Sequence, residues 1–110
     1  MKKGKFYITC RDREHPGVIL TEQVSGYLNQ VETSDEHIIN VGIHNNNGNT
    51  MWTATEISTG MQFGCGTTRK LCLENAQSNA DAAYNLISRN DELITECKQL
   101  INKANEGDIK

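Results

Sequence analysis

The sequence predicts an α+β fold: an antiparallel sheet of four to five strands followed by one long or two shorter C-terminal helices. Three observations predict it. Apolar and polar residues alternate in several short runs before residue 66, Gly-, Asn- and Ser-rich turns separate those runs, and residues 68–104 contain neither Pro nor Gly and follow a helical period. At 110 residues the length is that of a single domain, 1–110, with a β-sheet region over 1–66 and a helical region over 67–105.

Residues 5–11 open the sheet, with Phe6, Ile8 and Cys10 on one face and Tyr7, Thr9 and Arg11 on the other. A polar turn over residues 12–17 holds the only proline, Pro16, and residues 18–21 read as a short return strand. Residues 22–36 are ambiguous: Gly26 interrupts them, a weak strand is expected around Tyr27, and Thr33-Ser34-Asp35-Glu36 signals a loop. Residues 37–44 form a clear strand with Ile39, Val41 and Ile43 sharing a face. The run from Asn45 to Asn49 contains Asn-Gly, a strong hairpin signal. Residues 50–57 are the next strand, rich in Thr and carrying Trp52; Ser58-Thr59-Gly60 turns the chain, and Met61, Phe63 and Cys65 line a last strand. An antiparallel sheet of this kind keeps one face wet and needs a cover for the other.

The helical region supplies that cover. Cys72, Ala76, Ala80, Ala83 and Leu86 make a narrow stripe that thickens into Leu86/Ile87, Leu93/Ile94 and Leu100/Ile101. In heptad terms Ala83, Asn90, Cys97 and Ala104 stand at a, the three leucines at d and the three isoleucines at e. Ser78 with Asp81 resembles a capping box, so the run is two helices meeting near Ser78 or one helix. Unbroken, residues 68–104 would extend on the order of 55 Å, longer than so small a domain is wide. The far end would then need a partner to bury Leu93, Ile94, Leu100 and Ile101, which predicts a homo-oligomer through the C-terminal helices, with Asn90 able to set its register. Two helices folding back on the sheet are the monomeric alternative.

Charge narrows the function classes. Eleven Lys and Arg against fourteen Asp and Glu give a net charge of −3, which excludes a strongly basic nucleic-acid coat. No Lys or Arg lies between Arg13 and Arg69, a stretch that holds Glu14, Glu22, Glu32, Asp35, Glu36 and Glu56. Tracking a nucleic-acid backbone takes roughly 6–10 phosphate contacts, whereas a compact ligand with one or two phosphates needs far fewer. No apolar run is long enough to span a bilayer, and no apolar h-region follows Lys2, Lys3 and Lys5. A cytoplasmic setting with Cys10, Cys65, Cys72 and Cys97 as free thiols is expected.

One constellation carries a mechanism. Phe63-Gly64-Cys65-Gly66-Thr67-Thr68-Arg69-Lys70 stands where a strand ends and a helix begins. Gly66 lets backbone approach a ligand or turn sharply, Thr67 or Thr68 caps the helix, and the first helical amides attract an anion. Arg69 and Lys70 in the first turn oppose the helix dipole, a local conflict that a bound phosphate would relieve. The alternative is a plain strand–turn–helix junction with exposed cations. Trp52 and Phe63 flank the junction in sequence; Trp52 is either a core residue or a platform for a base, and Tyr7, Arg11 and Arg13 are further contributors or an ordinary solvated edge. The segment is neither a Walker loop nor a dinucleotide fingerprint.

Metal and catalytic readings find little. His37 and His44 fall on opposite faces of a straight strand, and Cys65 to Cys72 is not zinc-finger spacing. A thiol at Cys65 or Cys72 could be activated by the helix start, but no His/Asp companion is evident and a buried thiol is the simpler reading. Asp91-Glu92 reads as solvated. No catalytic residue, metal or cofactor is therefore expected.

Two resemblances add to this. Trp52, Thr59-Gly60, the run from Gly64 to Lys70 and Ala76 together resemble the second half of a double-stranded-RNA-binding domain, where a hairpin leads to a helix whose basic N-terminus grips phosphates. The size, the sheet-then-helix order and the Thr59-Gly60…Gly66-Thr67-Thr68-Arg69-Lys70 junction resemble small phage anti-defence proteins of the anti-Thoeris sponge family, whose protomers assemble and sequester a cyclic ADP-ribose signal. The second resemblance implies non-catalytic sequestration of a phosphate-bearing cyclic nucleotide second messenger, with Trp52, Phe63, Gly66, Thr67, Thr68, Arg69, Lys70, Arg11 and Arg13 as candidate ligand-binding residues from the reading above. The alternatives are an RNA- or DNA-binding module and a protein that inhibits a host defence enzyme through its acidic sheet face.

Overall fold

A computed structural model describes residues 2–15, 17–45 and 50–108. Five strands, β1 (Lys2–Arg11), β2 (Ile19–Glu32), β3 (Ile38–Asn45), β4 (Trp52–Glu56) and β5 (Met61–Gly66), are followed by three helices, α1 (Arg69–Ser78), α2 (Ala80–Ser88) and α3 (Glu92–Asp108). The strands form one antiparallel sheet in chain order, β1-β2-β3-β4-β5. The α+β class and the sheet-then-helix order are those expected. The turn around Asn46–Asn49 and Pro16 lie outside the described residues.

Two features differ from the sequence reading. The ambiguous region is no break: β2 is a single strand of 14 residues, pairing with β1 through Leu28 and with β3 from Tyr27 onward. Gly26 marks close backbone approach, since a Cβ there would lie 2.1 Å from the Ile43 carbonyl oxygen. The second difference is the division of the helical region into three. At Asn79 the backbone leaves the helical region (φ −97°, ψ 2°), and Asn90 takes a left-handed φ of 49°, a conformation Asn tolerates better than most residues. Ser78 and Asp81 do not form a capping box. Ser78 Oγ donates to the Glu74 carbonyl, and Asp81 accepts from both the backbone amide and the hydroxyl of Ser34. Those two hydrogen bonds hold the Asp81 carboxyl below its usual pKa. Asp91 is no idle surface carboxylate: its Oδ1 accepts from the Ile94 amide and caps α3.

The chain covers both faces of its sheet. On one face Val31, Ile39, Val41, Ile43 and Ala54 pack with Cys72, Ala76, Ala80 and Ala83 of α1 and α2. The opposite face is covered by the sheet's own curl. Thr9 N donates to the Gly60 carbonyl at 2.9 Å and Thr9 Oγ1 to that of Thr59 at 3.2 Å, so the end of β1 meets the β4–β5 turn. Inside this curl the Phe6 ring lies against Gly42 and meets His44 edge-on at 5.8 Å. The β4–β5 turn is organised by Glu56, which is 6% exposed and accepts from the amides and hydroxyls of Ser58 and Thr59.

The fold-back of α3 changes the argument for assembly. Ile94, Cys97 and Ile101 are buried as α3 packs against β1 and β2, so the chain itself covers two of the four residues that a straight helix would leave for a partner. Leu86 and Leu93 remain exposed beside the α2–α3 bend. The described residues extend 34 × 32 × 30 Å, and no helix among them is long and apolar enough to cross a membrane.

Candidate functional site

The junction forms as a strand meeting a helix N-terminus. Thr68, in extended conformation (φ −130°, ψ 161°), is the N-cap of α1 and its hydroxyl accepts from the Leu71 amide at 3.0 Å. Thr67 is exposed beside it. The first turn of α1 contains no acidic residue, and among the described residues neither Arg69 nor Lys70 has a carboxylate partner.

Gly66 is placed differently from the expectation. It is buried beneath α1, where a Cβ would lie 2.5 Å from the Cys72 amide nitrogen and 2.8 Å from the Leu71 carbonyl carbon. Gly64 is in similar contact with Ala76. Both glycines let the helix settle directly on β5, and Gly66 offers its surface to α1 in place of a ligand. The same helix holds the outer edge of β5 with two amide side chains, Asn75 Nδ2 donating to the Cys65 carbonyl and Asn79 Nδ2 to that of Phe63.

Arg69 turns back over the sheet. Its guanidinium carbon stands 4.4 Å from the centroid of the Tyr27 ring and 5.7 Å from that of Trp52. The two rings are 6.1 Å apart and tilted by 53°. Trp52 is half-buried and packs against the core between sheet and helices. A cation over an aromatic face gains about 0.5–1 kcal/mol at an exposed site, comparable with the 0.3–1 kcal/mol that a cation loses near a helix N-terminus. Stacking on Tyr27 thus offsets the conflict that Arg69 creates with the dipole; exposed Lys70 gains no such offset from these rings.

Of the residues singled out in the sequence, Trp52, Thr67, Thr68, Arg69 and Lys70 come together. Phe63 does not join them: it packs against the core and lines a shallow recess with Gln62, Gly64, Cys65, Asn75, Ser78 and Asn79. Arg11 and Arg13 are also elsewhere. Arg11 pairs with Ile19 at the far end of β1, whereas Tyr27 pairs with Lys3, and eight residues of strand span roughly 26 Å. Arg11 instead borders a cleft of about 210 Å³ with Thr9, Cys10, Ile19, Met61, Gln62, Leu93 and Cys97. Tyr27 is the member that sequence reasoning missed. Register is the signal: once β2 continues through Gly26, Tyr27 falls opposite Ile43 and on the helix-covered side.

The other candidates are structural. Burial pushes the Cys72 thiol up to about 11, with Cys65 nearby adding to the effect, so Cys72 is not an activated thiolate. Cys97 is raised by burial too. All four cysteines are free, Cys10 and Cys65 exposed and Cys72 and Cys97 buried. His44 is buried, His37 stacks on Tyr84 at 4.3 Å, and among the described residues no group of His, Cys, Asp and Glu is arranged to hold a metal ion. Compared with protein-family models, with curated proteins and with solved structures, the chain matches none of them.

Proposed function

We propose that the chain binds a phosphate-bearing nucleotide without transforming it. The base would stack on Trp52 and Tyr27, and the phosphate would take the Arg69 guanidinium, the Lys70 ammonium and the first amides of α1. One observation carries the reading: a guanidinium held over one aromatic ring and close to a second, at a helix N-terminus that lacks acidic residues. Stacking and charge-assisted hydrogen bonding are what these groups supply. Sequestration of a nucleotide signal, as in a phage anti-defence sponge, is the role this chemistry suits. Assembly through Leu86 and Leu93 belongs to the same reading, and native mass spectrometry of protein purified from cells measures it together with any retained small molecule.

Trp52 is the only tryptophan, so its fluorescence reports on the site alone. Titration with cyclic ADP-ribose isomers and cyclic oligonucleotides should quench it, with matching calorimetric heat. Arg69→Ala should weaken that binding by about 1.5–3 kcal/mol, the range for a charged hydrogen bond. Folded protein giving neither quenching nor heat with any nucleotide would overturn the proposal.

A further inference from the structure

Arg69 covers the platform that a base would use. Trp52 pairs with Gly66, three residues before Arg69, and Arg69 opens α1 directly beside the two rings. At 4.4 Å from the Tyr27 centroid and 5.7 Å from that of Trp52, the guanidinium fills the layer a stacked base would take, since stacked aromatic rings have centroids about 4.5–7 Å apart. The base and the guanidinium cannot share that face of Tyr27. Arg69 is exposed and has no carboxylate partner among the described residues, so no ion pair fixes its head group there.

The cost of moving it depends on what arrives. An uncharged ligand that takes the ring face removes the cation–π contact and leaves the guanidinium beside the helix N-terminus, where the dipole opposes it. A phosphate at the first amides of α1 reverses that opposition and gives the guanidinium a bidentate partner. The same side chain is an obstacle to a nucleoside and a contact for a nucleotide. Lys70, exposed and over neither ring, can assist a phosphate without covering the place of a base.

We infer that Arg69 is a specificity gate: in the unliganded chain it covers Tyr27, and a phosphate draws it off and opens the rings to the base, so that unphosphorylated nucleosides are selected against. This rests on the nucleotide reading above and adds how that site discriminates.

Calorimetry would compare adenosine with adenosine monophosphate on the wild-type chain, Arg69→Ala and Lys70→Ala. Arg69→Ala should gain about two- to fivefold in affinity for adenosine, the strength of an exposed cation–π contact expressed as a binding ratio, while losing about tenfold or more for the monophosphate. Lys70→Ala should lose monophosphate affinity with no gain for adenosine. Inorganic pyrophosphate alone should shift the Trp52 emission of the wild-type chain as the guanidinium leaves, and should leave that of Arg69→Ala unchanged. Monophosphate binding with adenosine affinity no higher in Arg69→Ala than in the wild-type chain, or an equal gain in Lys70→Ala, would overturn the gate while leaving the nucleotide reading standing. Constant Trp52 emission in the wild-type chain at high pyrophosphate would do the same. Silence toward every ligand, monophosphate included, would overturn both.

Discussion

Gly66→Ala tests whether α1 rests on β5 as closely as described. The added Cβ would sit 2.5 Å from the Cys72 amide nitrogen, 2.8 Å from the Leu71 carbonyl carbon and 3.0 Å from the Cys72 Cα. All three are backbone atoms, so no side chain can swing aside and the helix itself must move. Cys72 and Ala76, both 0% exposed, would be lifted from the sheet with it. Overpacking of this kind costs about 1–3 kcal/mol. Loss of glycine freedom in the unfolded chain returns about 0.4–1 kcal/mol, and a net loss near 1–2 kcal/mol is expected. With a urea slope of about 1–2 kcal/mol per molar for a small domain, the unfolding midpoint should fall by roughly 1 M, and Trp52 fluorescence should change in the folded state as Arg69 leaves Tyr27. Gly17→Ala is the control, because nothing lies within 4 Å of its added Cβ. A Gly66→Ala protein as stable as the control would refute the close seating of α1 and, with it, the placement of Arg69 over the rings.

Other expectations follow from single residues. Glu56→Ala strands the buried Thr59 donors, while those of exposed Ser58 can turn to water, and should cost about 1–3 kcal/mol in chemical denaturation; a change below about 0.5 kcal/mol would contradict the turn geometry. A chromogenic thiol reagent should titrate Cys10 and Cys65 quickly and reach Cys72 and Cys97 only on unfolding. The Cys72 proton adds a pH dependence. Its folded pKa of about 11 exceeds the unfolded value near 9, so this contribution to stability is complete below pH 9 and is lost as pH rises through about 11. Cys72→Ala should remove that alkaline decline, and a decline of equal size in the variant would assign it to other groups. Asn90→Val should destabilise by about 1–2 kcal/mol, because a β-branched residue resists the left-handed φ. Asn90→Gly should be milder, losing chiefly the Lys98 Nζ hydrogen bond to Asn90 Oδ1 at 2.9 Å.

Much of the fold was legible because period-two alternation is a local signal. Ile39, Val41 and Ile43 declare their shared face within five residues, and Cys72, Ala76, Ala80 and Ala83 declare theirs through spacing alone. What escaped depended on contacts distant in sequence. Gly26 looks like a break to a local reading, yet it is the point where β2 crosses closely over Ile43. The break at Asn79 lies beside the junction near Ser78 that the sequence offers, but the one at Asn90 carries no Pro or Gly, and Asn90 enters the left-handed region without either. Arg11 and Arg13 were joined to the junction by charge alone, and strand direction sends them to the other end of β1. Phe63 and Trp52 sit on neighbouring strands but not side by side, because Trp52 pairs with Gly66, three residues beyond Phe63. Tyr27 could be placed beside Arg69 only after the pairing of β1, β2 and β3 was known.

The two asparagines that reach from α1 to β5 have a consequence for how copies of this chain can meet. Carbonyls on an outermost strand are open valences, and any extended peptide can dock on them. Asn75 and Asn79 occupy those of Cys65 and Phe63, a spacing of four on the helix matching a spacing of two on the strand. Strand-by-strand growth at this side would therefore have to dislodge both amides first. The helix that carries the cations also keeps the sheet finite.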